Sequence, residues 1–102
     1  MTGSSMSRNQ EFHDYVVGDL MVGITGITSR AMFGGYGIYR DGKFFAIIAD
    51  GELYFKGIGG TTQFTYAKKD GKTYKLNYWL VPVEVMEDRE ALADWIDRAT
   101  IE

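Results

Sequence analysis

Three Asp-Gly pairs, Asp41-Gly42, Asp50-Gly51 and Asp70-Gly71, punctuate the middle of the chain, each between runs rich in aromatic and β-branched residues. Both residues of such a pair tolerate positive φ, which the tightest hairpin turns demand. Hairpins in series predict an antiparallel β-meander of about five strands, near Met32–Tyr39, Phe44–Ala49, Leu53–Lys56, Phe64–Lys68 and Thr73–Val81. The run Phe44-Phe45-Ala46-Ile47-Ile48-Ala49 is apolar without alternation. Such a strand is expected in the centre of the sheet, covered on both faces, so helices must lie on the sheet. Pro82 ends the last strand, where its missing N–H does no harm.

A helix is predicted at each end. Ser7-Arg8-Asn9-Gln10 fits a capping box, with Ser7 as N-cap and Gln10 reaching back to a free backbone donor. Phe12, Val16 and Leu20, flanked by Tyr15, Val17 and Met21, then form an apolar stripe, and Gly23 is a natural stop. At the other end Asp88 is suited to cap a helix whose Leu92, Trp95, Ile96 and Ala99 follow an i, i+3, i+4, i+7 spacing. Ile24 to Arg30 reads as a linker into the sheet, and Gly57 to Thr62 as a flexible loop too short to divide domains. The fold class is α+β, an antiparallel meander with an N-terminal and a C-terminal helix packed on it. Residues 1–6 read as a flexible or tag-derived leader and 7–102 as a single domain.

The chain's 102 residues, 45% hydrophobic and with fifteen aromatics among them (Tyr 7, Phe 6, Trp 2), suit one core. Cys 0 excludes disulfides, thiolate metal sites and thiol nucleophiles, and the expected compartment is the cytoplasm. No apolar run approaches the roughly 20 residues of a membrane helix. A net charge of −3 offers no global attraction for nucleic acid, yet the charge is segregated. Five lysines (Lys56, Lys68, Lys69, Lys72, Lys75) face one acid, Asp70, across residues 56–75, whereas seven acids face Arg89 and Arg98 across residues 84–102.

Catalytic and cofactor patterns find little support. The glycines of Gly34-Gly35-Tyr36-Gly37 lead into a strand, not into the helix N-terminus that a phosphate-cradling loop requires. Gly35 and Gly37 share a strand face with Phe33 and Tyr39, so they are expected to leave room for a large aromatic or a closely packed neighbour. Gly57, Gly59 and Gly60 lack the lysine and hydroxyl of a phosphate loop. His13, with Glu11 and Asp14 beside it, reads as a solvated histidine on a helix flank, with neither a nucleophile nor metal partners in the pattern. Glu84, Glu87, Asp88, Glu90, Asp94 and Asp97 lack calcium-loop spacing. Those that open the final helix suit its dipole, and the others are expected on its wet face. No enzymatic activity, metal or cofactor is therefore expected. The sharpest surface is the hairpin Phe64–Tyr78, where Lys68, Lys69, Lys72 and Lys75 interleave with Tyr66 and Tyr74. That mixture is what single-stranded nucleic-acid platforms use. The plainer alternative is alternation, with Tyr74, Leu76, Tyr78 and Leu80 turned to the core and Lys75 and Asn77 to water.

The segments MFGGYGIYRDGKFFAIIADGELYFK (Met32–Lys56), FTYAKKDGKTYKLNYWLVP (Phe64–Pro82) and EVMEDREALADWIDRA (Glu84–Ala99) together resemble the N-terminal domain of the TfoX/Sxy proteins. Relatives tend to carry a longer, often acidic segment where this chain has its Gly-Thr loop. The resemblance implies a secretion-chaperone-like α+β outline and a cytoplasmic, non-enzymatic role in transcription or competence regulation, as a coactivator beside the cyclic-AMP receptor protein. A protein partner in the transcription machinery is then expected, with Tyr36, Tyr39, Tyr54, Tyr78 and Trp79 as the candidate contact surface. An open sheet has two edges, so pairing into a homodimer is also expected. Direct single-stranded nucleic-acid binding through residues 64–78 is the alternative, and no membrane contact is implied.

Overall fold

The structure, a computed structural model, describes residues 5–32 and 34–101. Helix α1 (Ser5–Tyr15) passes into a π-helical turn (Val16–Leu20), followed by β1 (Ile27–Met32), β2 (Gly35–Arg40), β3 (Lys43–Ala49), β4 (Glu52–Lys56), β5 (Gln63–Ala67) and β6 (Thr73–Leu80). The short α2 (Val83–Met86) and the longer α3 (Arg89–Thr100) complete the chain. All strand pairs are antiparallel.

Two of the three expected tight turns form. Asp41 and Gly42 take φ of 51° and 81°, Asp50 and Gly51 take 52° and 72°, and each pair alone joins its two strands. Asp70-Gly71 differs: only Gly71 has positive φ, at 87°, and the connection runs over residues 68–72. There the Lys68 N–H donates to the Lys72 carbonyl at 2.9 Å, and the Asp70 carboxylate accepts from the Lys72 N–H at 2.9 Å. A side chain that bonds locally in this way opens the turn by offering the backbone another acceptor.

The sheet has six strands, one more than expected, in the order β1-β2-β3-β4-β6-β5. The added strand, β1, falls largely where a linker was expected. It is an edge strand whose Thr28 and Arg30 face water, so it carries no run of apolar residues. The first four strands form a meander, and the β5–β6 hairpin then folds back to seat β6 beside β4. Helix α1 begins at Ser5, so Ser7 lies inside its first turn instead of capping it; Ser5-Met6 contains no helix breaker that would stop extension. The position expected for Phe33 lies outside the described residues.

The unbroken apolar run of β3 has a cause that periodicity does not reveal. Ile38 faces Ala46 while Tyr39 faces Phe44, which leaves Phe45 as the extra residue of a β-bulge. The bulge turns Phe45 to the same side as Ala46 and Ile48, into the main core with Val16, Met21, Ile38, Leu53, Phe55, Leu92 and Ile96. Phe44 and Ile47 turn to the other face. The helices cover only the first face. Asp88 caps α3 by accepting from the Glu90 and Ala91 N–H groups at 3.1 Å, as expected. Asp97 is exposed on the wet face, as expected, and there accepts from Arg40 at 2.7 Å, linking α3 to β2.

Gly35 and Gly37 of the first hairpin are explained by close approach. A Cβ on Gly35 would collide with the Ile48 carbonyl oxygen of β3, and one on Gly37 would meet Met32 Sδ at 2.7 Å and Phe44 Cε1 at 2.8 Å. Buried Asn9 clamps this end of the sheet. Its amide donates to the Gly34 carbonyl at 3.1 Å and accepts from the Gly51 N–H at 2.8 Å, which ties two turns to α1. Both hydrogen-bonding ends of the amide are thereby satisfied.

Candidate functional site

The helix-free face of the sheet carries a second apolar layer made from the strands themselves. Ile47, Phe64 and Tyr78 are buried there, with Phe44, Ala49, Tyr54, Tyr66 and Leu76 packed around them. Period-two alternation on β6 puts Tyr74, Leu76 and Tyr78 on this side, and cross-strand pairing brings Tyr66 opposite Tyr74 and Tyr39 opposite Phe44. The rings form rows. Tyr39–Phe44 and Phe44–Tyr78 centroids lie 5.2 Å apart, and Tyr54 meets Phe64 edge-on at 5.1 Å. These are favourable aromatic separations.

Cations stand on this face. The Arg30 guanidinium lies 6.0 Å from the Tyr39 ring and the Lys68 ammonium 5.1 Å from the Tyr74 ring, within cation–π range. Lys56 is the cross-strand partner of Tyr78. An open cavity of about 310 Å³ lies between Lys43, Phe44, Lys56, Tyr78 and Thr100, and a groove of about 300 Å³ runs along Thr28, Arg30, Tyr39 and Gly42.

The predicted surface residues divide. Tyr39, Tyr54 and Tyr78 share the helix-free face, whereas Tyr36 packs against the helix-side core and Trp79, the cross-strand partner of Phe55, lies on that same helix side. The lysine hairpin divides as well: Tyr66, Tyr74 and Lys68 come together, and Lys75, paired with Thr65, points the other way. Lys69 and Lys72 are exposed in the loop between the two strands. Tyr74 is 40% exposed at the outer margin of the face and Tyr78 only 9%, so the alternation expected for β6 holds while its core-facing character fades toward the hairpin tip.

Two of these tyrosines titrate abnormally. Burial, with a smaller contribution from Tyr39, pushes the Tyr78 phenol up to about 12, and burial together with the Glu52 and Asp50 carboxylates pushes Tyr54 up to about 12. The Tyr54 hydroxyl also donates to Glu52 at 3.1 Å. A phenol whose folded pKa exceeds its unfolded value of about 10 stabilises the fold fully below that pH, and the contribution is lost between about pH 10 and 12. The melting temperature is therefore expected to fall across that window as Tyr54 and Tyr78 ionise. Phenolate absorbance followed with pH checks this, and Tyr78→Phe removes part of the late rise. A rise that Tyr78→Phe leaves unchanged would contradict the packing.

A second cluster, on the helix side, was not legible in sequence. His13 is not solvated on a helix flank: its ring stacks on Tyr36 with centroids 4.2 Å apart, Nδ1 lies 2.9 Å from Asp14 Oδ1, and Nε2 lies 2.7 Å from Ser29 Oγ. The hydroxyl comes from the strand that read as a linker, so no spacing signalled it. Among the described residues no group of three or more His, Cys, Asp or Glu side chains could hold a metal ion. Among the described residues no helix is long and apolar enough to cross a membrane.

The family model of the TfoX N-terminal domain matches residues 19–101. The chain belongs to that family. The match spans all six strands, α2 and α3, so both candidate surfaces rest on the TfoX-N sheet. His13 and Asp14 precede the matched segment, whereas Ser29 and the helix-free aromatic face lie within it. A comparison with curated proteins returns no match.

Proposed function

We infer that this TfoX-N domain is a regulator of the transcription or competence type, non-enzymatic in that role, which docks a protein partner on the helix-free sheet face. The observation that carries the reading is the aromatic layer on that face, whose buried and flanking apolar members all come from strands, with the end of α3 reaching only its Lys43–Lys56 margin. Tyrosine is a favoured interface anchor because it supplies large contact area and a polar tip together. The acidic balance of the chain, −3 overall, also suits a protein partner better than a phosphate backbone. Family membership supports the regulatory role, and the reducing cytoplasm is its expected setting.

A second reading, single-stranded nucleic acid on the same face, is favoured by the two cation–π pairs, Arg30 with Tyr39 and Lys68 with Tyr74. One experiment separates the two. The tagged 102-residue chain is used to recover partners from source-cell lysate with and without nuclease, beside a Tyr39→Asp, Tyr74→Asp double variant. The docking reading expects a transcription factor or polymerase subunit that survives nuclease and is lost from the variant. Recovery abolished by nuclease, with oligonucleotide binding that weakens steeply as salt rises, moves the assignment to nucleic acid. Equal recovery by wild type and variant removes the face from either role.

A further inference from the structure

We propose that Ser29 is a nucleophilic serine, activated by His13 and oriented through Asp14, that accepts an acyl group from an activated ester or thioester. This goes beyond the docking reading and is independent of it, since the cluster sits on the helix side at the β1 edge and either proposal can fail alone.

The polarity of the hydrogen bonds is the first support. An ionised carboxylate only accepts, so the 2.9 Å contact between Asp14 and His13 requires the imidazole hydrogen on Nδ1. Neutral His13 then presents a bare Nε2 lone pair, and the Ser29 hydroxyl, 2.7 Å away, donates to it. That is the arrangement by which a histidine withdraws a serine proton. The ring is also held in place. Both nitrogens are engaged, Tyr36 stacks on its face, and the side chain is only 17% exposed.

The second support is the backbone at the nucleophile. The Asp41 N–H donates to the Gly26 carbonyl at 2.8 Å, one residue beyond the Ile27–Arg40 end of the β1–β2 ladder. In an antiparallel pair the bonded positions recur every second residue. Ladder bonds therefore fall on Thr28 and Arg30, and the N–H groups of Ser29 and Ala31 turn outward. β1 is the sheet's edge strand, so those amides are available to a developing oxyanion, and the nucleophile's own amide is a donor of this kind in serine acyl transfer. A donor molecule approaches from the open edge.

The step balances without any further reagent. The Ser29 Oγ lone pair forms a bond to the acyl carbonyl carbon as its proton passes to His13 Nε2. The tetrahedral adduct collapses by breaking the carbonyl carbon's bond to the leaving oxygen or sulfur, which takes the proton from Nε2. The products are O-acyl-Ser29 and a free alcohol or thiol. Asp14 is a positioning residue. Its carboxylate is 69% exposed, so it works in a screened setting and the acceleration is expected to be modest.

The test uses the full chain with a fluorophosphonate probe and with p-nitrophenyl acetate, read by intact mass and by peptide mapping. The expected result is one adduct per chain, on Ser29, with a matching burst of p-nitrophenolate. Ser29→Ala abolishes it, and His13→Gln slows labelling by about a hundredfold, the scale of a positioned general base, while a thermal melt shows both variants folded. Asp14→Asn slows labelling, and Asp14→Glu restores it. Folded wild type that takes no label, label that persists in Ser29→Ala, or equal rates in wild type and His13→Gln would each overturn the proposal. Should Ser29→Ala fail to fold, the position of the adduct in wild type and the His13→Gln rate decide the matter.

Discussion

Gly35→Val lowers the melting temperature by more than about 10 °C, as read by thermal denaturation followed with circular dichroism. The β-carbon would meet the Ile48 carbonyl oxygen of β3, a backbone atom fixed in a central strand and unable to swing aside. Relief requires β2 to move away from β3 at the position beside the Tyr36–Ile48 pair. Overpacking a rigid site costs on the order of 3 kcal/mol, and each kcal/mol corresponds to roughly 4–8 °C in a domain of this size. Neighbouring glycines provide the scale. Gly37→Ala meets the end of the Met32 side chain and the Phe44 ring, of which the thioether can shift, so its loss is smaller. Gly34→Ala has open space but a φ of +75°, and costs about 1 kcal/mol through backbone strain alone. An unchanged melting temperature for Gly35→Val would contradict the close approach of the two strands.

Local chemistry made much of the fold legible, and long-range geometry did not. Asp41-Gly42 and Asp50-Gly51 announced their hairpins because only the two central residues determine such a turn. The Asp88 cap and the Leu92, Ile96 and Ala99 stripe were legible for the same reason. β1 was missed because an edge strand with Thr28, Ser29 and Arg30 has no apolar alternation to show. The seating of β6 beside β4 depends on pairing across the 57–62 loop, which no single segment encodes. The Phe45 bulge was hidden inside an apolar run, where a change of face leaves no trace in composition. Of the candidate site, the alternating tyrosines of β6 could be read in advance. The approach of Ser29 to His13, sixteen residues apart on a strand and a helix, could not, and neither could the Asn9 clamp.

Ile47→Ala is expected to cost about 2–4 kcal/mol, close to the loss from Ile48→Ala on the helix side, with urea unfolding as the measurement. Both side chains are fully buried, and truncating a buried isoleucine removes transfer energy and leaves a cavity. The comparison has force because their covers differ. Ile48 lies in the core that the helices close, while Ile47 is closed by side chains of its own sheet, most of them aromatic. A helix-free face composed merely of solvated rings would let water reach the cavity, and Ile47→Ala would then cost well under 1 kcal/mol. A full core penalty means that the inner members of the aromatic layer, Phe64 and Tyr78 among them, are committed to stability. Docking energy must then come from the outer members, Tyr39 and Tyr74, whose removal exposes no core. The ratio of the two isoleucine losses therefore sets which tyrosines a partner can use without unfolding the sheet beneath them.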